Sequence, residues 1–201
     1  MTPALPFRLL IITDWSLPTL LDRLEQALSA GPGIAVQHRN PGATTRDFYR
    51  DGERLAALCA RHGAPLFVNG RLDVALGLGA HLHLPARGLR PADVRPHLPP
   101  GRWLSAAVHD AAEATGAAGA DLALVSPVFA PGSKPTDTRR QLGPDGFRAL
   151  AARLPCPAFA LGGLTAETAR TLAPLAGVAV ISAVLRADDP RRAAEALLAA
   201  A

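Results

Sequence analysis

Two glycines and a serine near the end of the chain are residue types that bind a phosphate group. Gly162-Gly163 follows a short apolar run, and glycine lets backbone N–H groups approach an anion closely. Thr165 opens a predicted helix, whose N-terminal N–H groups and dipole favour negative charge. Ser182 follows the next apolar run and offers a hydroxyl. A tight turn and a helix cap are the alternative interpretation, but the occurrence of both features after successive runs favours an anion site.

An amide and a guanidinium lie two residues apart at Gln37 and Arg39, so they share one face of a predicted strand. This pair suits a polar ligand, and an internal ion pair of Arg39 with Asp14 or Asp73 is an equal alternative. Lys134 is the only lysine in the chain and follows a loop of small residues. It is a candidate to neutralise a phosphate or pyrophosphate, unless it is simply exposed to solvent.

Three histidines fall at or near predicted strand ends. His109 ends a strand and is a candidate general acid or base, although a structural role is the alternative for a single histidine. His81 and His83 share a face of one strand, but no third ligand accompanies them at a spacing typical of metal sites. We therefore predict no metal site here.

The composition excludes several classes of function. Of 201 residues, 49% are hydrophobic and 19% are charged, and no apolar run is long enough to cross a membrane. Two cysteines are too few for a disulfide framework, and the N-terminal segment lacks the features of a secretion signal, so we expect a cytoplasmic protein. The formal charge is +4, but the 21 basic residues are spread along the chain, which argues against nucleic acid.

Short aliphatic runs alternate with segments of helical period, which is typical of parallel β/α architecture. Eight rounds predict one (β/α)8 barrel over residues 1–201. The predicted strands are 7–12, 34–37, 66–68, 81–84, 103–107, 122–125, 158–161 and 178–181. The predicted helices are 17–30, 44–61, 71–78, 91–97, 110–116, 144–153, 165–172 and 190–200. An open doubly wound sheet is the competing architecture, but the segment 13–16 lacks the glycine fingerprint of a dinucleotide site.

In such a barrel the functional residues lie at the carboxyl ends of the strands and in the loops that follow them. The predicted strand ends bring together Gln37, Asn69, His83, His109, Gly162 and Ser182. A phosphate site is expected after the last two strands.

These segments, in this order and spacing, resemble the family of thiamine phosphate synthases and the related thiazole tautomerases. The resemblance covers nearly the whole chain and rests on residues 11–14, 36–39, 67–76, 83–84, 126–129, 133–134, 160–164 and 180–183. It implies a (β/α)8 barrel, usually dimeric, that binds thiazole phosphate in thiamine biosynthesis. The phosphate-binding residues that it implies are Gly162, Gly163, Ile181 and Ser182. The other substrate-binding residues that it implies are Gln37, Arg39, Asn69 and Ser133, with Lys134 as a catalytic candidate.

The sequence departs from the synthase pattern where synthases hold pyrophosphate and Mg2+. Gly70 and the segment 85–88 stand where the resemblance places two magnesium-binding carboxylates, and Pro41 stands in place of a lysine. Without those carboxylates, only Arg39 and Lys134 remain to offset the charge of a leaving pyrophosphate.

Other positions resemble the tautomerase branch, whose members aromatise a thiazole precursor by proton transfer. Asn69-Gly70-Arg71 and Leu84-Pro85 are of this kind, but Pro127 occupies the position of that branch's catalytic histidine. Another base is then needed, and His83 and His109 are the nearest candidates.

We therefore expect an enzyme that binds a phosphorylated small molecule and acts on the thiazole side, with no cofactor. A true synthase that uses Mg2+ through displaced ligands, such as Asp14 or Asp73, is the first alternative. A non-catalytic phosphate-binding or regulatory protein is the second. We expect no nucleic-acid or membrane partner, and a homodimer is possible.

Overall fold

The chain closes eight parallel strands into a barrel in which each strand pairs with its sequence neighbours and β8 pairs with β1. This computed structural model describes residues 5–130 and 140–201. Its strands are β1 Leu9–Ile12, β2 Ile34–His38, β3 Leu66–Asn69, β4 His81–Leu84, β5 Leu104–Val108, β6 Leu122–Val125, β7 Ala158–Leu161 and β8 Gly177–Val180. Its helices are α1 Leu20–Leu28, α2 Thr45–His62, α3 Leu72–Gly77, α4 Pro91–Val94, α5 Ala111–Gly116, α6 Gly143–Ala151, α7 Ala166–Arg170, α8 Ser182–Leu185 and α9 Pro190–Ala200. The predicted (β/α)8 fold is confirmed.

The strands are apolar on both faces because both faces are covered. Alternate residues of β1 belong to two separate buried clusters: Leu9 and Ile11 pack with the helices, whereas Leu10 and Ile12 pack inside the barrel. Ala35 of β2 belongs to the inner cluster. Because side chains alternate along a strand, Gln37 shares the inward face of Ala35, as its spacing predicted.

The longest helix, α2, shows why the sequence folds as predicted. The Thr44 hydroxyl accepts the Asp47 N–H at its start, and Gly63 ends it with a left-handed φ of 61°. Phe48, Leu55 and Leu58 are all buried. The predicted apolar stripe of this helix therefore packs against the barrel.

The structure differs from the predicted elements mainly near the carboxyl end of β8. That strand ends at Val180 rather than at Ile181, and one helical turn, α8, begins at Ser182. A single turn is too short to show a helical period in a sequence. The predicted helix at 91–97 also ends early, at Val94, and continues as a 3-10 turn, Arg95–His97. No helix of the described residues is long and apolar enough to cross a membrane.

Two histidines are buried inside the barrel on β4. The Nδ1 atom of His81 accepts the Trp103 backbone N–H at 3.0 Å, and burial lowers the pKa of His81 to about 4. Burial, together with the positive charges of Arg39 and His109, lowers the pKa of His83 to about 3. Both imidazoles are therefore neutral in the folded protein at neutral pH.

These histidines make the stability of the fold depend on pH. An unfolded chain titrates its histidines near pH 6.5, so below that pH it binds more protons than the folded chain. We expect these histidines to lower the free energy of unfolding as the pH drops from about 6.5 toward 4, by up to about 1.4 kcal/mol per pH unit for each histidine, and to contribute no slope above that range.

Urea unfolding across this range measures the slope. His81→Asn keeps an acceptor for the Trp103 N–H and removes one titrating group, so its slope should be shallower than that of the unmodified chain. Equal slopes for the two proteins would contradict the assignment.

Candidate functional site

A cavity of about 250 Å³ opens at the carboxyl ends of the strands. It brings together the predicted site residues of the described chain, namely Gln37, Arg39, Asn69, His83, His109, Gly162, Gly163, Ile181 and Ser182. Ser133 and Lys134 lie outside the described residues. Parallel closure of the barrel thus gathers side chains from β2, β3, β4, β5, β7 and β8 at one place.

One end of the cavity is formed by backbone from the last two βα turns. Gly162 and Gly163 have φ angles of 101° and 62°, and within the described residues the N–H groups of Gly163 and Leu164 have no protein acceptor. Ser182 is the first residue of α8, where N–H groups have no intrahelical partner. Gly163, Leu164 and Ser182 line the same cavity and follow the neighbouring strands β7 and β8, an arrangement that suits an anion.

The diglycine is also required by packing. A Cβ atom at Gly163 would lie 2.5 Å from the Ala130 carbonyl oxygen, and one at Gly162 would lie 3.0 Å from the Pro127 Cα. The Phe129 N–H donates to the Gly162 carbonyl at 3.0 Å. The tight-turn interpretation of the diglycine therefore holds, because the turn is tightly packed on the loop after β6. The anion site stays a prediction for a turn that also lines the cavity.

The Gln37 side chain is buried without a hydrogen-bond partner for its Nε2 atom, the one such side-chain atom among the described residues. A buried amide without a partner costs about 1–3 kcal/mol. The side chain is 1% exposed and lines the cavity. A ligand that accepts a hydrogen bond would remove this cost.

Arg39 is held at the cavity by a residue that the sequence analysis missed. The Thr13 hydroxyl accepts the Arg39 N–H at 2.9 Å and donates to the Arg39 carbonyl at 3.0 Å. Neither predicted ion pair of Arg39 forms: the Asp14 carboxylate instead accepts Arg186 at 2.8 Å, and Asp73 lines a separate groove between α2 and α3. Among the described residues the guanidinium has no ion-pair partner, and it is available to a ligand at the cavity.

The two cavity histidines differ in what holds them. His83 Nδ1 lies 2.7 Å from the buried Ser105 hydroxyl, and His109 Nδ1 lies 2.7 Å from the Glu113 carboxylate. The sequence analysis missed both partners. The spacing of four residues between His109 and Glu113 at a predicted helix start was the available signal, whereas Ser105 becomes a partner only through the register of β4 and β5.

The cavity does not suit Mg2+. Proteins bind this ion through oxygen ligands, commonly one or two carboxylates together with water and substrate phosphates. The cavity-lining residues of the described chain include no aspartate or glutamate. The described residues also hold no cluster of three metal-ligating side chains. Asp14 and Asp73, which the sequence suggested as replacement ligands, do not line the cavity.

Comparison with known proteins identifies the group to which this barrel belongs. A family model described as thiamine monophosphate synthase matches residues 9–184. The chain belongs to this family. It is 37% identical over 196 residues to the thiamine-phosphate synthase of Chlorobium luteolum, which covers 95% of this chain and 91% of that protein.

Two further thiamine phosphate synthase relatives also match nearly the whole chain. Identity to the thiamine-phosphate synthase of Chlorobium phaeovibrioides is 39% over 206 residues, covering 98% of this chain and 95% of that protein. The solved structure of thiamine phosphate pyrophosphorylase from Pyrococcus furiosus has a TM-score of 0.83 at 32% identity, covering 96% of this chain and 95% of that chain. The chain is therefore an enzyme of the thiamine phosphate synthase family, with a synthase-like role in thiamine biosynthesis.

The packing of the diglycine turn predicts a specific loss of stability. In Gly163→Ala the new methyl group meets the Ala130 carbonyl at a left-handed φ, so we expect the free energy of unfolding to fall by about 2 kcal/mol or more. Gly42→Ala is the control, because its φ is ordinary and its Cβ would meet nothing within 4 Å. Chemical denaturation of both variants measures the difference, and an unaffected Gly163→Ala would refute the packing argument.

Proposed function

We propose that this enzyme binds thiazole phosphate and moves a proton on the thiazole side, as a tautomerase does. The observation that carries the proposal is the set of groups around the cavity. It holds two imidazoles, a guanidinium, unpaired amide donors and, among the described residues, no carboxylate. Such a set suits an anionic ligand and proton transfer.

The phosphate binds at the cavity end formed by Gly162, Gly163, Ile181 and Ser182. There the unpaired N–H groups and the serine hydroxyl each supply a hydrogen to a phosphate oxygen, in the position where barrels of this class often hold phosphate. The first residues of the short helix α8, Ser182 and Ala183, also line the cavity.

The ring of the ligand lies against the apolar lining between the polar groups. Ile12, Leu124 and Ala179 line the cavity and offer a surface for a small heterocycle. Gln37 Nε2 donates to a ring atom or substituent, which gives this buried amide its missing partner. Arg39 and Asn69 supply the remaining polar contacts.

Tautomerisation asks little of the protein besides a base and an acid. One proton leaves the ligand and one is returned at another atom, so no bond to a second substrate forms and no electrons are exchanged. His83 and His109 line the same cavity. The pKa of His83 is lowered to about 3 by burial, so this imidazole enters the reaction neutral.

The second candidate is a true synthase, favoured by the names of relatives that are 32–39% identical over nearly the whole chain. In that reaction Arg39 would face the pyrophosphate of the pyrimidine substrate. The roles of Ser133 and Lys134 in holding pyrophosphate stay predictions, as do the expected homodimer and the expected cytoplasmic location.

Two assays on the purified protein separate these functions. We expect little thiamine phosphate from thiazole phosphate, pyrimidine methyl pyrophosphate and Mg2+, since the described cavity offers no carboxylate for the metal. We expect conversion of the thiazole tautomer, followed by ultraviolet absorbance. Robust synthase turnover would contradict the proposal, and so would binding without either reaction, which would indicate a non-catalytic protein.

The phosphate position predicts the effect of a new negative charge. In Ser182→Asp the carboxylate would face the phosphate, so we expect thiazole phosphate to bind about tenfold or more weakly, measured by calorimetry. Ser29→Asp is the matched control, because Ser29 is exposed at the end of α1, at the opposite end of the barrel. Unchanged affinity in Ser182→Asp would refute the phosphate position.

A further inference from the structure

Among the described residues, His109 is the one titratable group of the cavity whose side chain contacts a carboxylate, that of Glu113. One carboxylate oxygen of Glu113, Oε2, lies 2.7 Å from His109 Nδ1 and 2.7 Å from the His109 backbone nitrogen. The side chains are 19% and 30% exposed. The ring is therefore tied to its own backbone through a single carboxylate, which fixes its rotation.

This contact also selects the tautomer of the imidazole. An ionised carboxylate only accepts hydrogen bonds, so the Nδ1 atom of His109 must carry the hydrogen. In the neutral ring Nε2 then holds a lone pair. His109 lines the cavity and Glu113 does not, so the carboxylate lies behind the ring as seen from the cavity.

The surrounding charges are consistent with a base at this position. Among the described residues, Arg39 and His83 are the other charged or titratable groups that share the cavity with His109. His83 is held neutral by burial and by the positive charge of Arg39. A carboxylate behind an imidazole stabilises the imidazolium that forms when Nε2 takes a proton, which is the logic of the serine protease triad.

We propose that Glu113 is a positioning residue that holds His109 as the general base of the cavity, with the Nε2 lone pair available to the ligand. This inference rests on the proposed proton transfer. In that step Nε2 takes the proton from the ligand and His109 becomes an imidazolium beside the Glu113 carboxylate. The imidazolium then gives up its Nε2 proton, either to the second atom of the ligand or to a group in contact with it that protonates that atom, so the enzyme ends unchanged.

A purely structural role for Glu113 is the competing explanation. Glu113 is the third residue of α5, and a glutamate there commonly caps the first turn. The cap residue itself is Asp110, whose Oδ1 atom accepts the N–H groups of Ala112 and Glu113 at 2.9 Å. The chain therefore offers two variants at one helix end that separate capping from positioning.

Glu113→Gln keeps an acceptor for the helix start but removes the negative charge, and its amide can also donate to Nδ1. Asp110→Ala removes the cap and leaves the Glu113 carboxylate in place. We expect Glu113→Gln to lower kcat for the thiazole tautomer at least tenfold with little change in KM. We expect Asp110→Ala to lower stability while both kinetic constants stay near their original values.

The tautomer itself is measured without any ligand. In protein labelled with 15N, ring nitrogen spectra distinguish Nδ1–H from Nε2–H histidine, and His109→Gln identifies the signal of His109. We expect Nδ1–H in the unmodified chain and a mixture of both forms in Glu113→Gln. An Nε2–H ring in the unmodified chain would overturn the inference, even if Glu113→Gln did not fold.

The outcomes separate this inference from the proposed function. Turnover of the thiazole tautomer that is unaffected by Glu113→Gln would overturn the positioning role and leave the proposed function standing. An Nδ1–H ring in a protein that does not convert the thiazole tautomer would overturn the proposed function, and with it the role of His109 as a base.

Discussion

Parallel closure of the barrel is the constraint on which the site depends. The strand register pairs Ile12 with Gln37 and His83 with Ser105. It therefore sets which side chains lie beside each other on neighbouring strands. Because all strands run in one direction, their carboxyl ends meet at one mouth, and so do the loops that follow them. The cavity is therefore a consequence of topology, and its chemistry is decided by the few inward positions that are not apolar.

The buried polar groups of this mouth are held for a ligand at a cost in stability. Gln37 is buried with its Nε2 unpartnered, and burial keeps His83 neutral. Substitution by apolar residues would remove these costs. At the opposite end of the barrel, Phe7 packs edge to face on Phe67 and Phe159 and supplies apolar burial. Aromatic packing thus lies at one end of the barrel, and the polar groups of the cavity lie at the other.

The sequence predicted the barrel and most of the polar side chains that line the described cavity, because both follow from local patterns. Alternating runs located the strands, and strand ends located Gln37, His83, His109 and the diglycine turn. The helix α8 escaped because one turn has no period, and Thr13 and Ser105 escaped because they become partners only through strand register. The ion pairs suggested for Arg39 do not form, since Asp14 pairs with Arg186, which follows the neighbouring strand β8, and Asp73 lies at a separate groove.

The central claim is that the backbone of the last two βα turns binds the phosphate of the ligand. Amide NMR spectra recorded during titration with thiazole phosphate, and separately with the same thiazole lacking its phosphate, test it most directly. We predict large shifts of the Gly163, Leu164 and Ser182 amide signals with the phosphate ester and much smaller ones without it. Equal shifts with both ligands, or shifts confined to the far end of the barrel, would contradict the account.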